Sequence, residues 1–318
     1  MILYVFRLTP GDWSSIMVSM NRLSNSDRVQ IVACLVEGMS IRSTCRITGF
    51  AKGTVLKLLA DLGETCQILH DEQVKGLRTA RLECDEIWSF CYSKKKNTPE
   101  HLKDDPEVGD VWTWTAIDAD SKLMVSWLVA DRNNASADAI MLDLSGRIVS
   151  ERVQLTSDGL RWYKQAVQKT FGDAADYSEL QKIYGAADGS PNTRYSPAVC
   201  IGCVRKSVLG NPDPEHISTS YVERANLTMR MGMRRFTRLT NGFSKKHANH
   251  CAAVAIHFAH YNFCRVHTSL GKRTPAMAAG IADHPWSIEE LVSVLEGHER
   301  EIVGTEGNRR GPYKRRVS

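Results

Sequence analysis

Three of the chain's 36 acidic residues sit in local contexts that could serve one piece of chemistry. Asp85 falls within or at the end of Arg81–Tyr92, a stretch rich in β-branched and aromatic types that reads as a strand. Asp158 precedes Gly159 directly after another strand-like run, Arg152–Thr156. Glu223 lies in the helical segment Ser220–Arg230, which carries two stripes. Val222, Ala225, Met229, Met233 and Phe236 form the apolar one; Glu223, Asn226, Arg230 and Arg234 form the polar one. Phosphodiester hydrolysis needs an activated water and a stabilised leaving oxygen, and two divalent cations about 3.5–4 Å apart provide both. Magnesium takes oxygen ligands and keeps several waters, so two or three carboxylates with a substrate phosphate suffice. Competing carboxylates are Glu83, Glu86, Asp118 and Asp120, and a regular pleat would turn Glu86 to the face opposite Asp85. An Asp before Gly at a strand end is also a common turn residue.

To hold these groups the chain offers further regular elements. Val111–Ile117 alternates apolar and polar types, Leu123–Val129 is continuously apolar, a helix is expected over about 135–149, and another over Trp162–Phe171. Strand-strand-strand-helix-strand-helix is the pattern of an α/β sheet with helices on its faces. It is also the order of a ribonuclease H-like core.

Ahead of the sheet lie three expected helices. Val29, Val32, Ala33 and Val36 recur at helical spacing within 26–37, and Gly38 supplies a stop. Ser40 is placed to cap a second helix through Thr48, and Gly49 permits a turn. A third helix is expected from Ala51 to Leu62, ending at Gly63. Such a unit, residues 23–63, reads as an all-α helix-turn-helix. Lys52, Thr54 and Lys57 would face bases, and Arg42 and Arg46 would face phosphates. A helical bundle for protein contacts is the other reading of the same pattern. Residues 64–80 are expected to be a helical or irregular linker, and 1–22 an arm or a mis-assigned start.

The net charge of +5 is compatible with nucleic acid but does not demand it. Nine cysteines without a regular framework read as reduced thiols of a cytoplasmic, nucleoid-associated protein, and no run is long and apolar enough for a membrane span.

Several of these segments together resemble one family: Cys84–Phe90 (CDEIWSF), Gly109–Ala116, Val153–Gly159, Ser220–Arg224 (SYVER), His260–Leu270 and Thr274–Ala276. They look like the DDE transposases of bacterial insertion sequences, most closely a long-form group of the insertion-sequence-one family. The resemblance covers roughly 20–288. It implies Asp85, Asp158 and Glu223 as catalytic metal ligands for two Mg²⁺ (or Mn²⁺) ions in a ribonuclease H-like core over 81–285. It further implies a head that binds the element's terminal inverted repeats, and DNA strand cleavage and transfer by a homodimer or larger assembly. Asp158 and Glu223 are 65 positions apart, longer than usual for that superfamily, so an irregular insertion is expected at about 186–216. A helix-turn-helix transcription regulator and a catalytically inactive domesticated transposase are the alternatives.

The remaining signals have quieter readings. Cys200 and Cys203 could form half a zinc site, but with no second pair at suitable spacing zinc is not expected. His247, His250, His257 and His260 lie in an apolar helix and read as core histidines. Arg230, Arg234, Arg235, Arg238, Lys245 and Lys246, interleaved with Phe236 and Phe243, suit a DNA strand path beside Glu223, with Asn226. A C-terminal helix is expected over 286–303, then a basic disordered tail over 304–318.

Overall fold

The computed structural model describes residues 23–185, 200–237 and 241–307, with side chains through residue 300. The expected arm (1–22), the first part of the expected insertion (186–199), Arg238 and the tail from 308 lie outside the described residues.

Three helices open the chain: α1 (Asn25–Val36), α2 (Ile41–Thr48) and α3 (Lys52–Gln73). Ser24 caps α1 with a reciprocal Ser24–Asp27 capping box, and the Ser40 side chain accepts from Ser43 N at the start of α2. Gly49 closes α2 in the left-handed region, at φ 76°. The expected stop at Gly63 is not there. α3 runs on through Gln73, so the expected linker is partly helix and the boundary at 63/64 falls inside one element. Gly63 serves a different purpose: a Cβ at this position would overlap the Cα and Cβ of Ala252. The missing side chain lets α3 and a later helix approach closely, and tertiary packing overrides glycine's poor helix propensity.

The centre is a mixed six-stranded sheet: β1 (Arg81–Cys91), β2 (Gly109–Asp118), β3 (Met124–Ala130), β4 (Val153–Ser157), β5 (Ala175–Tyr184) and β6 (Cys200–Leu209). The order is β3-β2-β1-β4-β5-β6. β1–β2, β2–β3 and β5–β6 are antiparallel, whereas β1–β4 and β4–β5 are parallel. α4 (Asn134–Arg147) and α5 (Arg161–Phe171) lie between strands in the chain, as helical connections of parallel strands must. The first four strands match the expected segments to within a few residues; β5 and β6 were not expected. The expected irregular insertion is corrected in part: residues 200–209 continue the sheet as its edge strand.

α6 (Ser220–Gly232), α7 (His247–Ala259), the short α8 (Pro275–Ala278) and α9 (Ile288–Gly307) complete the fold. α9 runs past the expected end at 303. One face of the sheet packs Ile87, Ile117 and Met124 against Val222, Ala225 and Met229 of α6 and Val254 and Phe258 of α7. A larger cluster joins the other face to α3, α4, α5 and α9. No helix among the described residues is long and apolar enough to cross a membrane.

Candidate active site

β4 is short, and its length shapes the site. Its pairing with β1 ends at Cys84–Ser157, whereas β1 continues to Cys91. Asp85 is the next residue of β1 and Asp158 the next after β4, so parallel register sets them side by side. Beyond them the flank of β1 no longer has β4 beside it. Gly159 makes the turn at φ 89°, where a Cβ would press on Gln181 Nε2 at 3.0 Å. Asp158 Oδ1 accepts from Leu160 N at 3.1 Å and the residue is exposed.

Carboxylate oxygens of Asp85, Glu86 and Asp158 all come within 4.8 Å of one another. The regular pleat does turn Glu86 to the opposite face, where its Oε2 accepts from Arg132 Nε at 3.1 Å. Past the end of β4, however, neighbours from the two faces of β1 can both reach Asp158. Sequence reasoning weighed Glu86 only as a competitor. The adjacent Asp85-Glu86 pair was the available signal, and the overlooked fact was how soon β4 stops.

The site's electrostatics are those of crowded negative charge that Arg132, on Glu86, compensates only in part. Burial, then the neighbouring Asp158, raise the Asp85 carboxyl to about 6. Burial raises Glu86 to about 7, with a hydrogen bond from Tyr163 and the charge of Arg132 opposing it and Asp158 and Asp85 adding to it. The Glu86 side chain is 1% exposed, with Arg132 on its Oε2 and the Tyr163 hydroxyl close by. An oxygen-only donor set of three crowded carboxylates, two of them raised by burial and mutual repulsion, fits a hard divalent cation such as Mg²⁺ or Mn²⁺.

α6 flanks this group. Glu83 Oε2 accepts from the amides of Tyr221 and Val222 at 2.7 and 2.9 Å, which ties the first turn of α6 to β1. One turn along, Asn226 Nδ2 donates to Asp85 Oδ2 at 2.8 Å. Asn226 is buried and spent on Asp85, so it leaves the set of outward-facing DNA candidates. Glu223 lies close enough for its charge to raise Asp85 further. Its own oxygens are engaged elsewhere: Oε1 accepts from Thr219 Oγ1 at 2.7 Å, and Oε2 is ion-paired with Lys182 of β5. Lys182 was not foreseen, because β5 itself was not.

The other expected contacts divide. Arg42, Arg46, Lys52, Lys57 and Arg234 are exposed, and Thr54 and Arg230 are half-buried. Lys57 pairs with Asp61 at 2.7 Å, and Arg46 Nη2 donates to Ser43 Oγ at 3.2 Å. Arg235 turns inward and donates to Ser244 Oγ at 2.9 Å, which corrects its expected place on a DNA path. Ser244 also meets His250 Nδ1 at 2.8 Å, and His250 Nε2 meets Ser89 Oγ at 3.1 Å, so His250 is a core histidine with both nitrogens engaged. All nine cysteines are free thiols. Cys200 and Cys203 are exposed on β6, and a register shift pairs them with Tyr184 and Lys182.

No protein-family model matches the chain, and no curated protein matches it. Among solved structures it is similar to the piggyBac transposase synaptic complex with hairpin DNA, at 12% identity and a TM-score of 0.34, over 96% of this chain and 80% of that one. It is also similar to the Mos1 strand transfer complex, at 13% identity and a TM-score of 0.21, over 50% of this chain and 59% of the other. A pre-cleavage Mos1 transpososome gives 12% identity and a TM-score of 0.20, with 60% of that chain covered. Likeness at this level leaves the functional reading to the carboxylates themselves.

Proposed function

We propose that this protein is a DDE-type DNA transposase of the bacterial insertion-sequence kind, with a ribonuclease H-like core. The observation that carries the reading is the meeting of Asp85 and Asp158 at adjacent positions of parallel strands, with Glu86 completing an oxygen-only group. The strand order and directions support it, since three antiparallel strands followed by two parallel ones are those of a ribonuclease H-like sheet. Asp85, Asp158 and Glu86 would hold the divalent cations, with Glu223 reaching them once it leaves Lys182. Bound there, the cations would activate the attacking oxygen and steady the leaving one.

The residues of the chain have defined parts. Asn226 fixes the rotamer of Asp85, Gly159 holds the turn that aims Asp158, and Arg132 holds the carboxylate of Glu86 in place beside them. The head over 23–63 would recognise the terminal inverted repeats, with Arg42, Arg46, Lys52, Thr54 and Lys57 as its contacts and Arg230 and Arg234 along the strand path. Cleavage forms a bond from a water oxygen to phosphorus and breaks the bond to the 3′ oxygen, leaving a 5′ phosphate and a 3′ hydroxyl. That hydroxyl then attacks a phosphodiester of target DNA in line, forming a new phosphodiester to the target's 5′ side as the bond to the target's 3′ oxygen breaks and leaves a target 3′ hydroxyl; two ends held together require a dimer or larger assembly. A second reading, DNA binding without cutting, is favoured by one observation: Glu223 is occupied by Lys182 and Thr219.

Strand cleavage on DNA carrying the flanking repeat separates the two. Mg²⁺-dependent nicking at the repeat boundary, lost in Asp158→Asn by at least about a hundredfold, is the expected result. Specific binding without nicking, whatever the divalent cation, would leave the non-cutting reading.

A further inference from the structure

β1 carries more than carboxylates on its overhanging end. Glu86, Trp88 and Phe90 alternate along one face of the strand. Phe90 stacks on Phe243 with ring centroids 4.8 Å apart, and Trp88 lies 5.7 Å from Phe90. Trp88 is the cross-strand partner of Trp112, over which the Arg132 guanidinium sits at 4.6 Å. Phe243 is brought there by its neighbour Ser244, which bridges to Cys91 and accepts from Tyr92 N at 2.7 Å along the flank that β4 leaves free.

Two features of these rings call for a partner. Trp88, Phe90 and Phe243 are each half-buried, and none belongs to either hydrophobic cluster of the fold. A contiguous aromatic patch that a core does not use marks a candidate binding surface. The rings are also flanked by cations. Lys245 Nζ stands 3.5 Å from the Phe243 ring centre, and Lys94 Nζ stands 5.5 and 5.8 Å from those of Trp88 and Phe90. Lys94, Lys95, Lys96, Lys245 and Lys246 are all exposed, and none of them has an ion pair among the described residues. Aromatic faces interleaved with unpaired cations suit a polyanion with flat apolar groups. Their place on the same strand face as Glu86 favours a nucleic-acid strand over a peptide or lipid surface.

We propose that Trp88, Phe90 and Phe243 form a stacking platform for unpaired bases of a DNA strand leading into the Asp85–Glu86–Asp158 group, with Lys94 and Lys245 on its phosphates. The inference rests on the reading of that group as a phosphodiester-cleaving site. It adds to it that the strand beside the cut is handled with bases unstacked rather than as intact duplex. Trp88 and Glu86 are two residues apart on one strand face, a separation of about 7 Å, so a base on Trp88 would keep its phosphate near the carboxylates.

Binding measured without divalent cation tests the platform apart from cleavage. Labelled oligothymidylate and a duplex of equal length would be titrated by fluorescence anisotropy into the full chain, its Trp88→Leu and Phe90→Leu variants, and Trp88→Phe. Each leucine keeps apolar bulk but removes the ring, so each should weaken oligothymidylate binding by about tenfold while duplex affinity stays within about threefold. Trp88→Phe should retain most of the affinity, which a purely structural role would not predict. Leucine variants that bind the single strand like the wild type, or that lose both ligands equally, would overturn the platform. Ring-dependent single-strand binding with no repeat cleavage would instead overturn the transposase reading and leave the platform standing.

Discussion

At the level of single residues, the site illustrates how much a neighbour's length decides. Asp85 and Asp158 were legible because each sits at a strand-like end, and Asp158 is followed by glycine. Glu86 was not, because pleat alternation sends it to the far face; only the early end of β4 lets its carboxylate join the others. Glu86→Gln separates structure from function here. Glutamine can still accept from Arg132 with its oxygen, and it carries no charge beside Asp85 and Asp158. Removing one of three crowded charges should stabilise the cation-free protein by about 1 kcal/mol, a rise of roughly 2–4 °C in Tm. The same variant should lose most of the Tm increase that Mn²⁺ gives the wild type. Scanning fluorimetry with and without MnCl₂ checks both. A full Mn²⁺ response in Glu86→Gln, together with its loss in Glu223→Gln, would move the third ligand to Glu223.

Among elements, those with a clean period were readable and those whose shape is set by partners were not. β2 alternates, β1 is rich in strand-forming types, β3 is a continuous apolar run, and α6 carries two stripes. β5 buries Ser178, Glu179 and Leu180 in succession, so no alternation marks it, and β6 is almost wholly exposed, with Arg205 and Lys206 on a sheet edge. Its polarity reads as loop because an edge strand needs no second apolar face. α3 was cut short at Gly63 for a related reason: glycine read as a stop is a contact with Ala252 of α7. Gly63→Ala tests which effect dominates. Helix propensity alone predicts a gain of about 1 kcal/mol. Overlap with a neighbouring backbone costs about 1–3 kcal/mol, so the net result should be a loss, seen as a lower urea midpoint. Adding Ala252→Gly should recover part of it, because the two positions share one contact and their effects couple. A stabilised Gly63→Ala would mean that the helices part easily and that the glycine serves no packing role.

For the whole molecule, the large cluster runs from Ile31 and Val32 of α1 through the sheet to Leu291, Val292 and Leu295 of α9, and Arg28 pairs with Glu299 at 3.1 Å. The opening helices, the sheet and the last helix therefore share apolar burial, which favours one cooperative unfolding transition over separate ones. Much of the connection passes through α7, and α7 holds two buried neutral histidines. Burial, with His260 and Arg265 adding to it, lowers His257 to about 3; burial, with Arg235 and His247, lowers His250 to about 3. Unfolded, each would return to the ordinary value of 6.5. Below that value the unfolded chain takes up protons that the folded one refuses, so their contribution is complete above pH 6.5 and is lost as pH falls toward 3. The loss is about 1.4 kcal/mol per pH unit for each histidine. Asp85 and Glu86, whose carboxyls are raised, act in the opposite direction over part of this range, so the clean measurement is a difference between two proteins that share them. His257 suits it because its Nε2 makes no hydrogen bond that a substitution would break. His257→Gln should narrow its stability gap to the wild type by about 1.4 kcal/mol for each unit of pH from 6 down to 4, read from urea midpoints at each pH. A gap that stays constant with pH would mean that His257 is already protonated in the folded protein, paired with a group that α7 and its neighbours do not now present to it.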